Sequence, residues 1–189
     1  MRIAQVAPLF ESVPPRLYGG TERVVSFLTD ALVEQGHDVT LFASGDSVTR
    51  ARLVAGCEQA LRLRDGGITD SLAPHLVQME QVYRSRGEFD IVHFHGGYLH
   101  LPVARRLSMR HVTTLHGRLD LPELAPLFRE YNTMPLVSIS DAQRRPLPWA
   151  NWLATVHHGL PPCAFQFRCT PGQYCVFLGS TVRVPICTC

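Results

Sequence analysis

Residues 89–116 read FDIVHFHGGYLHLPVARRLSMRHVTTLH. The stretch opens on a short apolar run, Phe89–His95, and closes on another, His111–His116. Between them stand Gly96-Gly97 and a segment around Pro102–Met109 that reads as a helix. Apolar runs of this length fit strands buried on both faces. A strand, a helix and a second strand in this spacing form the repeating unit of a parallel sheet.

The same alternation extends outward. Toward the N-terminus, Arg2–Pro8 (RIAQVAP) reads as a first buried strand, His37–Ser44 (HDVTLFAS) as a second, and Arg52–Ala55 as a short third. Thr21 can cap a helix running to about Gln35, with Val24, Leu28, Ala31 and Leu32 on one face and Gly36 as its stop. Ser71–Arg86 carries Leu72, Leu76, Met79 and Tyr83 at helical spacing. Toward the C-terminus, Pro122 suits the first turn of a helix through about Tyr131. Leu136–Ser140 reads as a strand, and Asp141 can cap a short helix that Pro146 interrupts. Ala154–His158 is the last strand, and Gly159-Leu160-Pro161-Pro162 is a stiff linker. The expectation is an α/β domain: a parallel sheet with helices on both faces.

The chain has 189 residues, room for one domain or one domain plus a remnant. It is 46% hydrophobic and 18% charged, which excludes a disordered chain and a coiled coil. All 18 basic residues are Arg, scattered without a basic stripe, so a nucleic-acid surface is not expected. No apolar run approaches the roughly 20 residues of a membrane span. The opening MRIAQVAPLFESVPP lacks a basic segment followed by a long apolar one, so a cytoplasmic protein is the default expectation. Every acidic residue precedes Ala142, and five of the six cysteines (Cys163, Cys169, Cys175, Cys187 and Cys189) follow Pro162. That composition shift sets the expected boundary between a domain over residues 1–162 and an aberrant Cys-rich remainder over 163–189. The remainder holds Cys187-Thr188-Cys189 but no CxxC pair, so no metal site is expected there.

In a parallel α/β sheet, ligands bind beyond the carboxyl ends of the strands. Four places qualify. Gly19-Gly20 follow the first strand and precede a helix whose unpaired N–H groups suit a phosphate or a sugar hydroxyl, although a plain tight turn explains them equally. His93 and His95 point to one side of their strand, and Gly96 follows; two histidines fall short of a zinc set, and structural histidines are the common outcome. His116-Gly117 end the next strand, where the imidazole can meet a hydroxyl or serve as a cap or core residue. Ser138-Ile139-Ser140-Asp141 end the sixth strand, where a helix cap is the plainer explanation. Glu80 and Glu88 form an E-x7-E spacing that is read as accidental.

Together, YGGTERVV (18–25), DIVHFHGG (90–97), TTLHG (113–117), VSISDAQR (137–144) and VHHGLP (156–161) resemble, in this order, family-4 glycosyltransferases. The resemblance implies one half of a GT-B fold, a single Rossmann-like domain facing a second one. It implies transfer of a sugar from a nucleotide-sugar to an acceptor with retention, without a metal or other cofactor. By the same resemblance His116 would contact the transferred sugar or the acceptor. Gly19, Gly20, His95 and Gly96 would line the substrate site, and Ser140 and Arg144 would face the interdomain cleft. Gly159 and Pro161 would form the hinge. YCVFLG (174–179) resembles the first strand of the second domain, but the basic phosphate-binding segment and paired-Glu motif do not follow. A truncated or frame-shifted acceptor-side lobe, inactive alone, is therefore expected. The alternative is a non-catalytic carbohydrate- or partner-binding lobe, with self-association through the exposed interdomain face.

Overall fold

The computed structural model describes residues 1–161. Seven strands form one sheet: β1 (Arg2–Val6), β2 (Asp38–Ser44), β3 (Arg52–Cys57), β4 (Ile91–Phe94), β5 (His111–Leu115), β6 (Leu136–Ser138) and β7 (Trp152–Thr155). Every pair is parallel, in the order β3-β2-β1-β4-β5-β6-β7. Five helices connect them: α1 (Gly20–Glu34), α2 (Leu72–Arg84), α3 (Leu101–Arg106), α4 (Leu124–Glu130) and α5 (Asp141–Arg144). The connections to β2 and then β3 run to one side of β1, and those to β4 through β7 lie on the other. Right-handed connections running in opposite directions lie on opposite faces. Accordingly Val25 of α1 packs with Leu41 and Ala43, whereas Met79, Val82 and Tyr83 of α2 pack with Ala4, Phe42 and Phe94. Phe128 of α4 completes a third apolar cluster with Leu115 and Leu136. This is the expected α/β, Rossmann-like domain, and among the described residues no helix is long and apolar enough to cross a membrane.

Local details depart from the expectations. α1 starts on Gly20, with Gly19 as its N-cap residue and no side-chain cap, so Thr21 lies inside the helix. The stop at Gly36 is as expected: its φ is +83°, its N–H donates to Val33 O, and His37 N–H donates to Leu32 O. The buried stripe of α1 is Glu22, Val25, Ser26 and Thr29, not Val24, Leu28, Ala31 and Leu32, which are only half-buried. α2 is rotated similarly. Leu72 and Leu76 are exposed, while His75 and Gln78 are buried beside Met79. The Gln78 amide donates to Ala7 O and Phe42 O, and His75 Nε2 accepts from Leu9 N–H. Loop backbone at the strand ends needs those partners, which outweighs the apolar pattern. α5 is capped by Ser140, not Asp141: its hydroxyl accepts from Gln143 N–H at 3.1 Å. Strands β4, β5 and β6 are shorter than expected, and β7 begins at Trp152, two residues before the expected Ala154, and ends at Thr155; His95, His116, Ser140 and His158 lie in the loops that follow them. The Cys-rich segment expected over 163–189 lies outside the described residues.

Candidate functional site

Strand β1 sits where the strand order reverses, with β2 on one side and β4 on the other. A crevice opens at such a reversal because neighbouring connections diverge to opposite faces. A cleft of about 550 Å³ occupies this position. Gly19, Gly20 and Glu22 line one side, His95, Gly96 and Tyr98 a second, and His116, Leu119 and Phe128 a third. His158 closes the rim.

The two glycines differ in what they permit. A Cβ on Gly19 would stand 2.7 Å from Pro15 Cβ, so the proline loop can pack there only against a glycine. A Cβ on Gly20 would meet nothing within 4 Å, so its bareness widens the cleft. Two residues into α1, the buried Glu22 also faces the cleft. Burial raises its carboxyl above the usual range, partly offset by main-chain hydrogen bonds from Glu22 and Glu11. Arg62 lies over the Phe10 ring and pairs with Glu11 at 3.4 Å, and Arg118 pairs with Asp120 at 2.7 Å.

The histidines form a continuous network. Gln5 Oε1 lies 2.8 Å from His95 Nε2, His95 Nδ1 lies 2.9 Å from His116 Nε2, and His116 Nδ1 lies 3.1 Å from His158 Nε2. Beside them His93 Nε2 lies 2.8 Å from Thr114 Oγ1. Burial is the main cause that lowers all these imidazoles: His93 to about 4, His116 to about 3, and His95 well below the ordinary value. For His95 and His116, repulsion from neighbouring rings adds to it. His158, nearer solvent, is lowered for the same first reason. The rings are therefore neutral near pH 7. Among the described residues, no group of three or more His, Cys, Asp or Glu is arranged to hold a metal ion.

Of the residues singled out from sequence, Gly19, Gly20, His95, Gly96 and His116 come together around this cleft. Ser140 and Arg144 do not line it. Ser140 caps α5, and the Arg144 guanidinium reaches Thr155 Oγ1 at 3.3 Å and lies over the Trp152 ring. The spaced acids are separate surface ion pairs, Glu80 with Arg84 and Glu88 with Arg52. Four residues escaped sequence reasoning. Glu22 follows the glycines directly, and His158 sits in the VHHGLP segment, so both were within reach. Gln5 carried a subtler signal, a lone amide inside an apolar strand. Gln143 carried none, yet its amide donates to Leu115 O at 2.8 Å and Gly117 O at 2.7 Å. Those bonds hold the backbone on both sides of His116.

Fold and site together define a Rossmann-like α/β domain with a cleft where its strand order reverses. Residues 18–160 match the family model described as Glycosyltransferase Family 4, and the chain belongs to that family. Among solved structures it is similar to AviGT4, a glycosyltransferase involved in avilamycin A biosynthesis, with 22% identity and a TM-score of 0.48. That similarity covers 78% of this chain and 39% of AviGT4. No curated protein matches the chain.

Proposed function

We propose that residues 1–161 are the acceptor-side lobe of a nucleotide-sugar-dependent hexosyltransferase that works with retention and without a metal, facing a separate donor-binding lobe. The observation that carries this reading is the cleft at the carboxyl ends of β1, β4 and β5, within a domain of glycosyltransferase family 4. In it, the N–H groups at the start of α1 approach the donor past Gly19 and Gly20, and His116 contacts the transferred sugar or the acceptor hydroxyl. Departure of a nucleoside diphosphate requires charge stabilisation. Arg62 and Arg118, the arginines lining this cleft, are paired with Glu11 and Asp120, and Glu22 adds an acid. The diphosphate charge therefore falls to the donor-binding lobe, and the chain alone is inactive.

The test is a transfer assay with a panel of nucleotide-sugars and acceptors. The purified chain is expected to show no turnover. Addition of a donor-binding lobe from a family member restores it, and His116→Ala in that complex lowers kcat by about a hundredfold through lost positioning. Robust transfer by the chain alone overturns the inactivity.

A second reading, a carbohydrate- or partner-binding lobe without catalysis, draws on the exposed apolar rim formed by Tyr18, Leu72, Tyr98 and Leu99. Self-association through that rim in a sizing experiment, with no rescue by a donor lobe, favours it.

A further inference from the structure

The ring-to-ring network has a direction, and Gln5 sets it. An amide oxygen only accepts hydrogen bonds, so His95 Nε2, 2.8 Å from Gln5 Oε1, carries the proton. A neutral imidazole has one N–H, so His95 Nδ1 is a lone pair. His116 Nε2, 2.9 Å away, must then donate to it. That leaves His116 Nδ1 as the acceptor for His158 Nε2–H at 3.1 Å. The Gln5 amide is itself oriented, since its Nε2 faces His93 Nδ1 at 3.5 Å. Gln5 and His95 are both buried, whereas His116 is half-buried on the cleft wall and His158 is exposed at the rim. The network thus starts in the core and ends where a ligand enters. Burial keeps the rings neutral near pH 7, so one proton per ring is the correct count.

We infer that Gln5 and His95 are positioning residues that lock His116 with its proton on Nε2, so that it presents only a hydrogen-bond acceptor to the cleft, and that His158 occupies this acceptor until a ligand hydroxyl replaces it. The ligand class rests on the reading of the cleft as a sugar-transfer wall; the lock does not. At His116 Nδ1 the site selects a group with a proton to give, such as a sugar hydroxyl. Sulfate, phosphodiester and carboxylate groups, fully ionised near pH 7, have none. His158, exposed in the segment after β7, can swing aside without disturbing the core.

The lock is read by two-bond 1H–15N correlation spectra of the 15N-labelled full chain, with the His116 signals assigned by their loss in His116→Asn. The expected pattern is an unprotonated Nδ1 and a protonated Nε2, in the wild type and equally in His158→Ala. Gln5→Leu removes the anchoring acceptor, and both tautomers then appear. Gln5→Glu keeps an acceptor in place and retains the pattern. A wild-type His116 with its proton on Nδ1 overturns the lock even if Gln5→Leu fails to fold, and so does a folded Gln5→Leu with an unchanged tautomer. Ligand selection is read by titration with methyl α-D-glucoside and, separately, inorganic sulfate, which carries no proton near pH 7. The glucoside is expected to shift His116 Nδ1, and to bind His158→Ala about threefold more tightly because its competitor is gone; sulfate leaves Nδ1 in place. Any other pattern, silence to both included, overturns the selection. None of these measurements needs transfer activity, so failure of the lock and failure of the glycosyltransferase reading are distinguishable.

Discussion

Two sets of histidines share this sheet, and they end differently. His100 and His111 flank Phe94: His100 stacks on it at 3.9 Å between ring centres, and His111 meets it edge-on at 6.0 Å. His100 Nε2 lies 2.7 Å from Thr113 Oγ1, and His111 Nδ1–H donates to Met109 O. That set closes on itself in the core. His95, His116 and His158 instead pass hydrogen bonds outward and end at the cleft rim. Burial is the main cause of lowered basicity in both sets, His100 as well as His95 well below the ordinary value. A lowered imidazole pKa therefore does not distinguish a cleft-lining residue from a packing residue here. The end point of the hydrogen-bond path does.

Acid tests whether the two sets are equivalent in charge. An imidazole whose folded pKa is depressed stays neutral in the folded chain but charges in the unfolded chain below about pH 6.5. The unfolded state then binds more protons. Stability is lost as pH falls from there toward the folded values, about 4 for His93 and about 3 for His116. Between pH 7 and 5 the loss is roughly 2 kcal/mol for each buried ring, or several kcal/mol in total, measured by urea unfolding. Glu22, with its raised carboxyl, works in the opposite direction and softens the fall. His100→Asn and His116→Asn should each flatten this slope by about one proton. If only one of them does so, the shared cause is wrong.

Substitution should separate the sets. His100→Ala empties a fully buried site against Phe94 and leaves the Thr113 hydroxyl without its partner. The expected cost is about 3 kcal/mol, read from the urea midpoint at constant slope. His158→Ala should change stability by no more than about 0.5 kcal/mol, because that ring is exposed. Equal costs would make His158 a core residue and close the outward path.

All seven strands were legible because each is an apolar run too short for a helix and bounded by turn residues. Their ends were overestimated because His95, His116 and His158 continue the pattern of residue types while the backbone has already left the sheet. Helix faces were misread where polar side chains serve the backbone. Gln78 and His75 are buried because loop groups near Ala7 and Leu9 need partners, and no hydrophobic count reveals that need. In the site, the glycines, His95, Gly96 and His116 were recognisable as strand-end residues. Gln143 was not, since its role depends on α5 lying beside the loop after β5.

Apolar period, glycine placement and motif order suffice for an α/β domain of the glycosyltransferase kind with its ligand side at the strand ends, because those features follow from local geometry and burial. Which strand ends become neighbours does not follow from them. Gln5 and His95 are 90 residues apart, and His116 and His158 are 42 apart. A hydrogen bond requires heavy atoms within about 3 Å and a donor facing an acceptor. Only the folded order, with β1 beside β4 and β4 beside β5, brings that geometry about and turns three ordinary histidines into a directed path from core to cleft.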